Sequence, residues 1–194
     1  MGSAALRQYY AEGMQAGATD RELLTRSAAG DERAFHTLYE RHQRVVYRFA
    51  LFASGGSAAT AEEAVQETFL LLIRNPGRFD PERGALAAYL CGIARQMVRR
   101  SRRRPFIALE ESQEVGGDPL GDLAQRERLD ALRQAVLALP ARYREAVTLC
   151  HLEGLSYRDA AQVLECSEGT VCSRLSRARA LLVKKLAGLA ICLI

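Results

Sequence analysis

The stretch Ser156–Leu186, SYRDAAQVLECSEGTVCSRLSRARALLVKKL, decides how the chain is read. Ser156 stands where its hydroxyl can take one of the amides that a first helical turn leaves unpartnered, which predicts a short helix over Tyr157–Leu164. That helix buries Ala160, Ala161, Val163 and Leu164. A tight turn, Glu165-Cys166-Ser167, follows, and Ser167 can cap a second helix. Small side chains at Ala160 and Ala161 let the two helices cross closely, as a helix-turn-helix requires. In the second helix Val171, Leu175, Ala178 and Leu182 form an apolar stripe. Thr170, Ser173, Arg174 and Arg177 lie on the other side, near the N-terminal end that enters the major groove in this motif. Arginine can bond guanine with two hydrogen bonds, and serine or threonine can contact bases or phosphates. Arg179, Lys184 and Lys185 extend the positive charge. A merely solvated basic helix would need neither the capped helix before it nor the tight turn.

Working outward, the whole chain reads as helical, with Pro scarce and no strand-like alternation. Asp20 is expected to cap a first helix, Arg21–Ala29, and Gly30-Asp31 to stop it and cap the next. That next helix carries Leu38, Val45, Val46, Phe49 and Phe52 near helical spacing and breaks at Gly55-Gly56. Thr60 is expected to cap a third, with Glu63 completing a capping box. Its buried side holds Ala64, Val65, Phe69, Leu72 and Ile73. A fourth helix runs from Ala85 to about Arg102. Residues 105–126, with Gly116-Gly117, Pro119, Gly121 and several acids, read as a flexible acidic linker. Beyond it come helices over Arg128–Leu139 and Ala141–His151, then the pair quoted above. The expected fold is all-α, two small helical domains, 20–104 and 127–187. A short N-terminal extension (1–19) and an apolar tail (188–194) flank them.

The chain has 194 residues and a formal charge of only +4, so the placement of charge matters more than its sum. Arg95, Arg99, Arg100, Arg102, Arg103 and Arg104 fall in one run with no acid among them. Such a run repels itself unless a polyanion or acidic surface is near, and phosphate is the simplest partner. Phe79, Arg83, Tyr89 and Gln96 lie close by in sequence, and aromatic rings beside cations suit stacking on unpaired bases. Glu62, Glu63, Gln66 and Glu67 instead line one side of the third helix. An acidic face disfavours DNA and suits a basic protein partner.

Other classes find little support. The five cysteines, Cys91, Cys150, Cys166, Cys172 and Cys192, include no CxxC pair, which argues against a secreted disulfide scaffold and for a reducing cytoplasm. Cys150, His151, Cys166 and Cys172 match no usual zinc spacing, so no metal or other cofactor is expected. His36, His42 and His151 are scattered, and no nucleophile–base pair or phosphate loop is legible, so no catalysis is expected. His36 and His42 are expected at the surface or partly packed. No signal peptide is read, and no apolar run approaches the ~20 residues that span a bilayer.

Five segments in order, GDERAFHTLYERH (30–42), AEEAVQETFLLLIR (61–74), RFDPERGALAAYLCGIAR (78–95), LPARYREAVTLCHLEGLSYRDAAQVL (139–164) and EGTVCSRLSRARALL (168–182), resemble the bacterial sigma-70 family, in its extracytoplasmic-function class. The resemblance implies a transcription-initiation factor that binds core RNA polymerase and promoter DNA. Glu62, Glu63, Gln66, Glu67 and Phe69 would meet the clamp helices of polymerase, and its flap would take the C-terminal unit. Phe79, Arg83, Tyr89, Arg95, Gln96, Arg99, Arg100 and Arg103 would read and open the −10 element, with a flipped base held by the loop before the fourth helix. Tyr157, Arg158, Ser167, Glu168, Gly169, Thr170, Ser173, Arg174, Arg177 and Arg179 would serve the −35 element. An anti-sigma protein is the further partner implied. The sequence departs from the family at Gln96, where Asn is usual, and in the basic residues after it, where an Asp is usual. It departs again at Glu165, where Gly is usual in the turn, and at Cys172, where Lys is usual. The competing reading is a stand-alone helix-turn-helix regulator that binds operator DNA without polymerase.

Overall fold

The computed structural model describes residues 18–102 and 123–191, and their side chains over 18–102 and 127–186. Arg103, Arg104, the linker up to residue 122, most of the N-terminal extension and the end of the apolar tail lie outside the described residues. Among those described, every regular element is helical: α1 (Asp20–Ala28), α2 (Glu32–Ser54), α3 (Ala58–Arg74), a 3-10 turn (Pro76–Arg78), α4 (Leu86–Ser101), α5 (Leu123–Leu137), α6 (Ala141–Val147), a π turn (Thr148–Leu152), α7 (Tyr157–Leu164) and α8 (Glu168–Ile191).

Local chemistry sets most of the helix ends. Asp31 caps α2 by accepting from the amides of Arg33 and Ala34. The helix stops at Gly55, whose φ of 92° lies in the left-handed region that costs a side chain but not glycine. Two caps differ from expectation. Thr19, not Asp20, caps α1, in a reciprocal box with Glu22. Ser57, not Thr60, caps α3, and Thr60 donates its amide to Ser57 Oγ at 3.3 Å. In both places two hydroxyl or carboxyl residues were eligible, and the helix begins at the earlier one. Asp20 is thereby freed to pair with Arg41 and His42 at 2.5 and 2.9 Å, which ties α1 to α2. His42 is consequently buried rather than at the surface.

α2 is the central rod. Leu38, Val46, Phe49 and Ala50 on it are fully enclosed, and it packs against α1, α3 and α4. Burying a ring such as Phe49 contributes up to about 3 kcal/mol relative to exposure. Ile73 breaks the expected pattern on α3: it is 49% exposed, because the face it shares with Leu70 is left open.

The C-terminal unit begins earlier than expected, with α5 from Leu123, and its second helix changes character. α6 gives way at Thr148 to a single π turn, closed by the Glu153 amide on the Thr148 carbonyl at 2.9 Å. Thr148 Oγ1 donates to the Arg144 carbonyl at 2.9 Å, a side-chain bond to the ladder of the kind that loosens a helix. α7 and α8 cross on Ala160, Ala161, Val171 and Ala178, all buried.

The two units are in contact. α7 lies on α4, α6 lies on α2, and one apolar core runs through both. Gly84 touches α7 so closely that a Cβ there would fall 2.8 Å from Asp159 Oδ1.

Candidate nucleic-acid and protein interfaces

The residues expected to face DNA at the C-terminal end sit on α7, the turn after it and α8. Ser156 Oγ accepts the Asp159 amide at 3.0 Å and starts α7. Glu165 ends it with φ 54°, a left-handed position occupied by a residue with a side chain. Ser167 Oγ accepts the Thr170 amide at 3.2 Å at the start of α8. Val171, Leu175 and Ala178 are buried, while Leu182 is partly covered. Glu168, Gly169, Ser173, Arg177 and Arg179 are exposed on α8, as are Tyr157, Arg158 and Ser167 before it. Arg174 and Thr170 are half-buried. The exposed N-terminal end of a basic helix, backed by a second helix, is a surface that can enter a major groove. Arg142, which sequence reasoning passed over, is exposed at the start of α6 with its guanidinium 4.7 Å from the centre of the Tyr143 ring.

The second set of expected DNA residues is divided. Phe79 and Tyr89 pair their rings at 5.5 Å, both half-buried. Gln96 and Arg100 are exposed, and Arg99 is half exposed. Arg95 is turned inward. Its Nε donates to Glu145 at 3.0 Å and its Nη1 to the Val163 carbonyl at 3.2 Å, so it meets the C-terminal unit. Arg102 likewise donates to the Ala53 carbonyl. The Arg83 carbonyl accepts from Gln162 Nε2 at 2.6 Å, while the Arg83 side chain is exposed.

The acidic face of α3 is split between two surfaces. Glu62 and Gln66 border a groove of about 640 Å³ between α2 and α3, lined by Phe35, Tyr39, Tyr47, Val65, Phe69, Leu70 and Ile73. Phe69 is only 3% exposed and packs edge-on against Tyr39 at 4.8 Å, so it shapes the groove from within. Glu63 and Glu67 line a separate cleft with Met97, Arg100 and Ser101 of α4. An apolar floor with polar edges is what a protein partner requires, and the rim can set register.

Buried charge on α6 and after it was not legible. Arg144 donates to the Leu137 and Leu139 carbonyls at 2.7 and 3.0 Å. Glu153 has no exposed side-chain surface and is held by Arg48 through two bonds of 2.5 and 2.8 Å. Burial pushes the Glu153 carboxyl above its ordinary range, and Arg48 offsets only part of that. Burial also pushes the Cys91 thiol, beside Glu153, far up. Cys150 and Cys166 are half-buried and Cys172 is exposed. No group of three or more metal-binding side chains gathers among the described residues. No helix among them is long and apolar enough to cross a membrane.

A helix-turn-helix joined to a second helical unit, with an arginine-bearing helix and an apolar groove, defines a two-part DNA-binding protein that also docks on protein. Two family models match the chain: sigma-70 region 2 over residues 38–105 and sigma-70 region 4 over residues 129–182. The extracytoplasmic-function RNA polymerase sigma factor SigM of Mycobacterium tuberculosis is 35% identical over 173 residues, 87% of this chain and 85% of its own length. Two solved structures are similar. CnrH, in complex with the cytosolic domain of CnrY, is 29% identical with a TM-score of 0.65, covering 87% of this chain and 97% of that one. Sigma factor RpoE from Bartonella quintana, in complex with the anti-sigma factor NepR, is 30% identical with a TM-score of 0.63, covering 79% and 96%. The chain belongs to the sigma-70 family of RNA polymerase sigma factors, in the extracytoplasmic-function class. Membership of that family leaves the stand-alone regulator without support.

Proposed function

We propose that the chain is an alternative sigma factor that binds core RNA polymerase, directs it to promoters and helps to open the DNA at the start of transcription. In this reading α8 meets the −35 element, and α4 with the loop before it meets the −10 element. The unit 20–104 docks on the polymerase clamp through the α2–α3 groove and the acids of α3, and the unit 127–187 docks on the flap. One observation carries the reading. A single chain holds a helix-turn-helix with an exposed basic end and, on a separate unit, an apolar groove between α2 and α3 together with the arginine-bearing α4. An operator-binding regulator needs only the first of these.

Opening DNA in this way calls for no catalytic group. Unstacked bases gain contacts with rings such as Phe79 and Tyr89, which offsets the cost of unpairing. The site of action is the cytoplasm, where polymerase and promoters meet. An anti-sigma protein would restrain the factor, as the partner of RpoE from Bartonella quintana is named. Run-off transcription with purified core polymerase tests the function. Synthesis from a defined start that depends on this chain is expected; DNA binding without any transcript would overturn the assignment.

A further inference from the structure

Two arginines from different helices converge on one phenol. Tyr143 is buried where α6 packs against α8. The Arg142 guanidinium of α6 lies 4.7 Å from the centre of its ring. Desolvation raises the pKa of the Tyr143 hydroxyl, but hydrogen bonds and charge from Arg177 of α8 and from Arg142 outweigh that and hold it below its ordinary value. Both arginines are exposed. Arg26, Arg41, Arg48, Arg95 and Arg99 each meet a carboxylate, whereas among the described residues neither Arg142 nor Arg177 forms an ion pair. Two like charges gathered at one hydroxyl repel each other, and an anion that accepts from both removes that cost. Position along α8 points the same way. Base edges are met by the first residues of a recognition helix, and Arg177 stands about two and a half turns in, past Thr170, Ser173 and Arg174. A guanidinium tied to a phenol of the neighbouring helix is not free to swing along a base edge.

We propose that Arg142 and Arg177 form a clamp for one phosphate of the DNA backbone, with Tyr143 as the residue that positions both, and with Arg142 as a DNA contact outside the helix-turn-helix. The proposal rests on the reading of α8 as the −35 reader and divides its labour. The clamp fixes register on the duplex and carries no sequence information, and base discrimination falls to the earlier residues of α8. Arginine suits the task because its planar fork can stack on a ring by one face and still offer N–H groups at its edge to phosphate oxygens. The ring of Tyr143 supplies that face to Arg142, and its hydroxyl draws Arg177 toward the same place.

The test uses the full-length chain and a labelled duplex of mixed sequence, titrated by fluorescence anisotropy from low salt upward. Removing either arginine opens the clamp. Arg142→Ala is therefore expected to lower the slope of log affinity against log salt by about one, and Arg142→Ala with Arg177→Ala to lower it little further. Arg142→Lys keeps the charge but not the fork, so it should restore the slope without restoring full affinity. Tyr143→Phe keeps the ring and the fold and loses only the hydroxyl. It should leave the melting temperature unchanged and weaken binding roughly fivefold, the scale of one hydrogen bond. Wild-type affinity and slope in Arg142→Ala would overturn the clamp, as would a wild type that fails to bind the duplex at low salt. Wild-type affinity in Tyr143→Phe would overturn the positioning role. Absence of any transcript from the wild type with core polymerase would instead overturn the sigma-factor reading, while the duplex titration still decides the clamp.

Discussion

Arg174 and Arg177 leave α8 less than one turn apart, yet they are not equally placed. Arg177 is exposed and Arg174 is half-buried. Arg177→Ala is therefore expected to weaken binding of −35 duplex DNA by about 1–3 kcal/mol if it reads a base; a phosphate contact would instead reduce the salt slope by about one. Titration of labelled duplex at several salt concentrations separates the two outcomes, and unchanged affinity would remove Arg177 from the interface. Asp20 makes a second prediction. Burial raises its carboxyl pKa, but hydrogen bonds and charge from His42 and Arg41 outweigh that and hold it below its usual value of 3.8. A carboxyl whose folded pKa is depressed contributes stability that is full above the unfolded pKa and is lost as pH falls through the folded one. Docking of α1 on α2 should thus be insensitive to this group at neutral pH and loosen only in acid below about pH 4. Hydrogen exchange of the α1 amides across that range checks it. Residue identity alone could not assign Asp20 this role, because an aspartate at a helix start is equally able to cap it.

At the scale of elements, the local signals were the legible ones. The α7–turn–α8 motif follows from a capping serine, a tight turn and an apolar stripe, all within about thirty residues. The α2–α3 groove was not legible in the same way. Periodicity placed Ile73 with the core, since spacing tells which side of a helix is apolar but not whether another element covers it. The open strip with Leu70, Ile73 and the rings of Phe35, Tyr39 and Tyr47 makes a prediction. Ile73→Asp, exposed in the free chain, should leave the melting temperature nearly unchanged and weaken association with core polymerase by tenfold or more, on the scale of an interface anchor. A pull-down with normal recovery of core subunits would exclude this face from the interface. Glu67→Lys tests the neighbouring cleft, and its expected loss of core binding should be smaller because the site is at a polar rim.

For the molecule as a whole, the sequence yielded two units and a connecting segment but not their contact. Glu145 and Glu153 carry no mark in the sequence, and their partners Arg95 and Arg48 lie 50 and 105 residues away. Nothing local marks such a pair. Its energetics can still be tested. Arg48→Ala removes the two bonds that hold the Glu153 carboxylate, whose side chain has no exposed surface. Breaking one partner of a buried pair costs about 3–5 kcal/mol if the other stays buried. The chain can avoid that cost by letting the units separate. Faster hydrogen exchange across α6 and the π turn, with α3 unaffected, is the expected result; uniform protection would show that this pair does not hold the units together.

The cover on Arg95 has a further meaning for life inside a crowded nucleoid. A chain with an open α8 surface can skim along paired DNA and let go, as weakly bound duplex scanners do. With Arg95 covered while Gln96 and Arg100 stay exposed, it presents one cation fewer to the unpaired strands at replication forks and repair gaps. Surplus copies would then grip unwound DNA less firmly than a helix with all its arginines open.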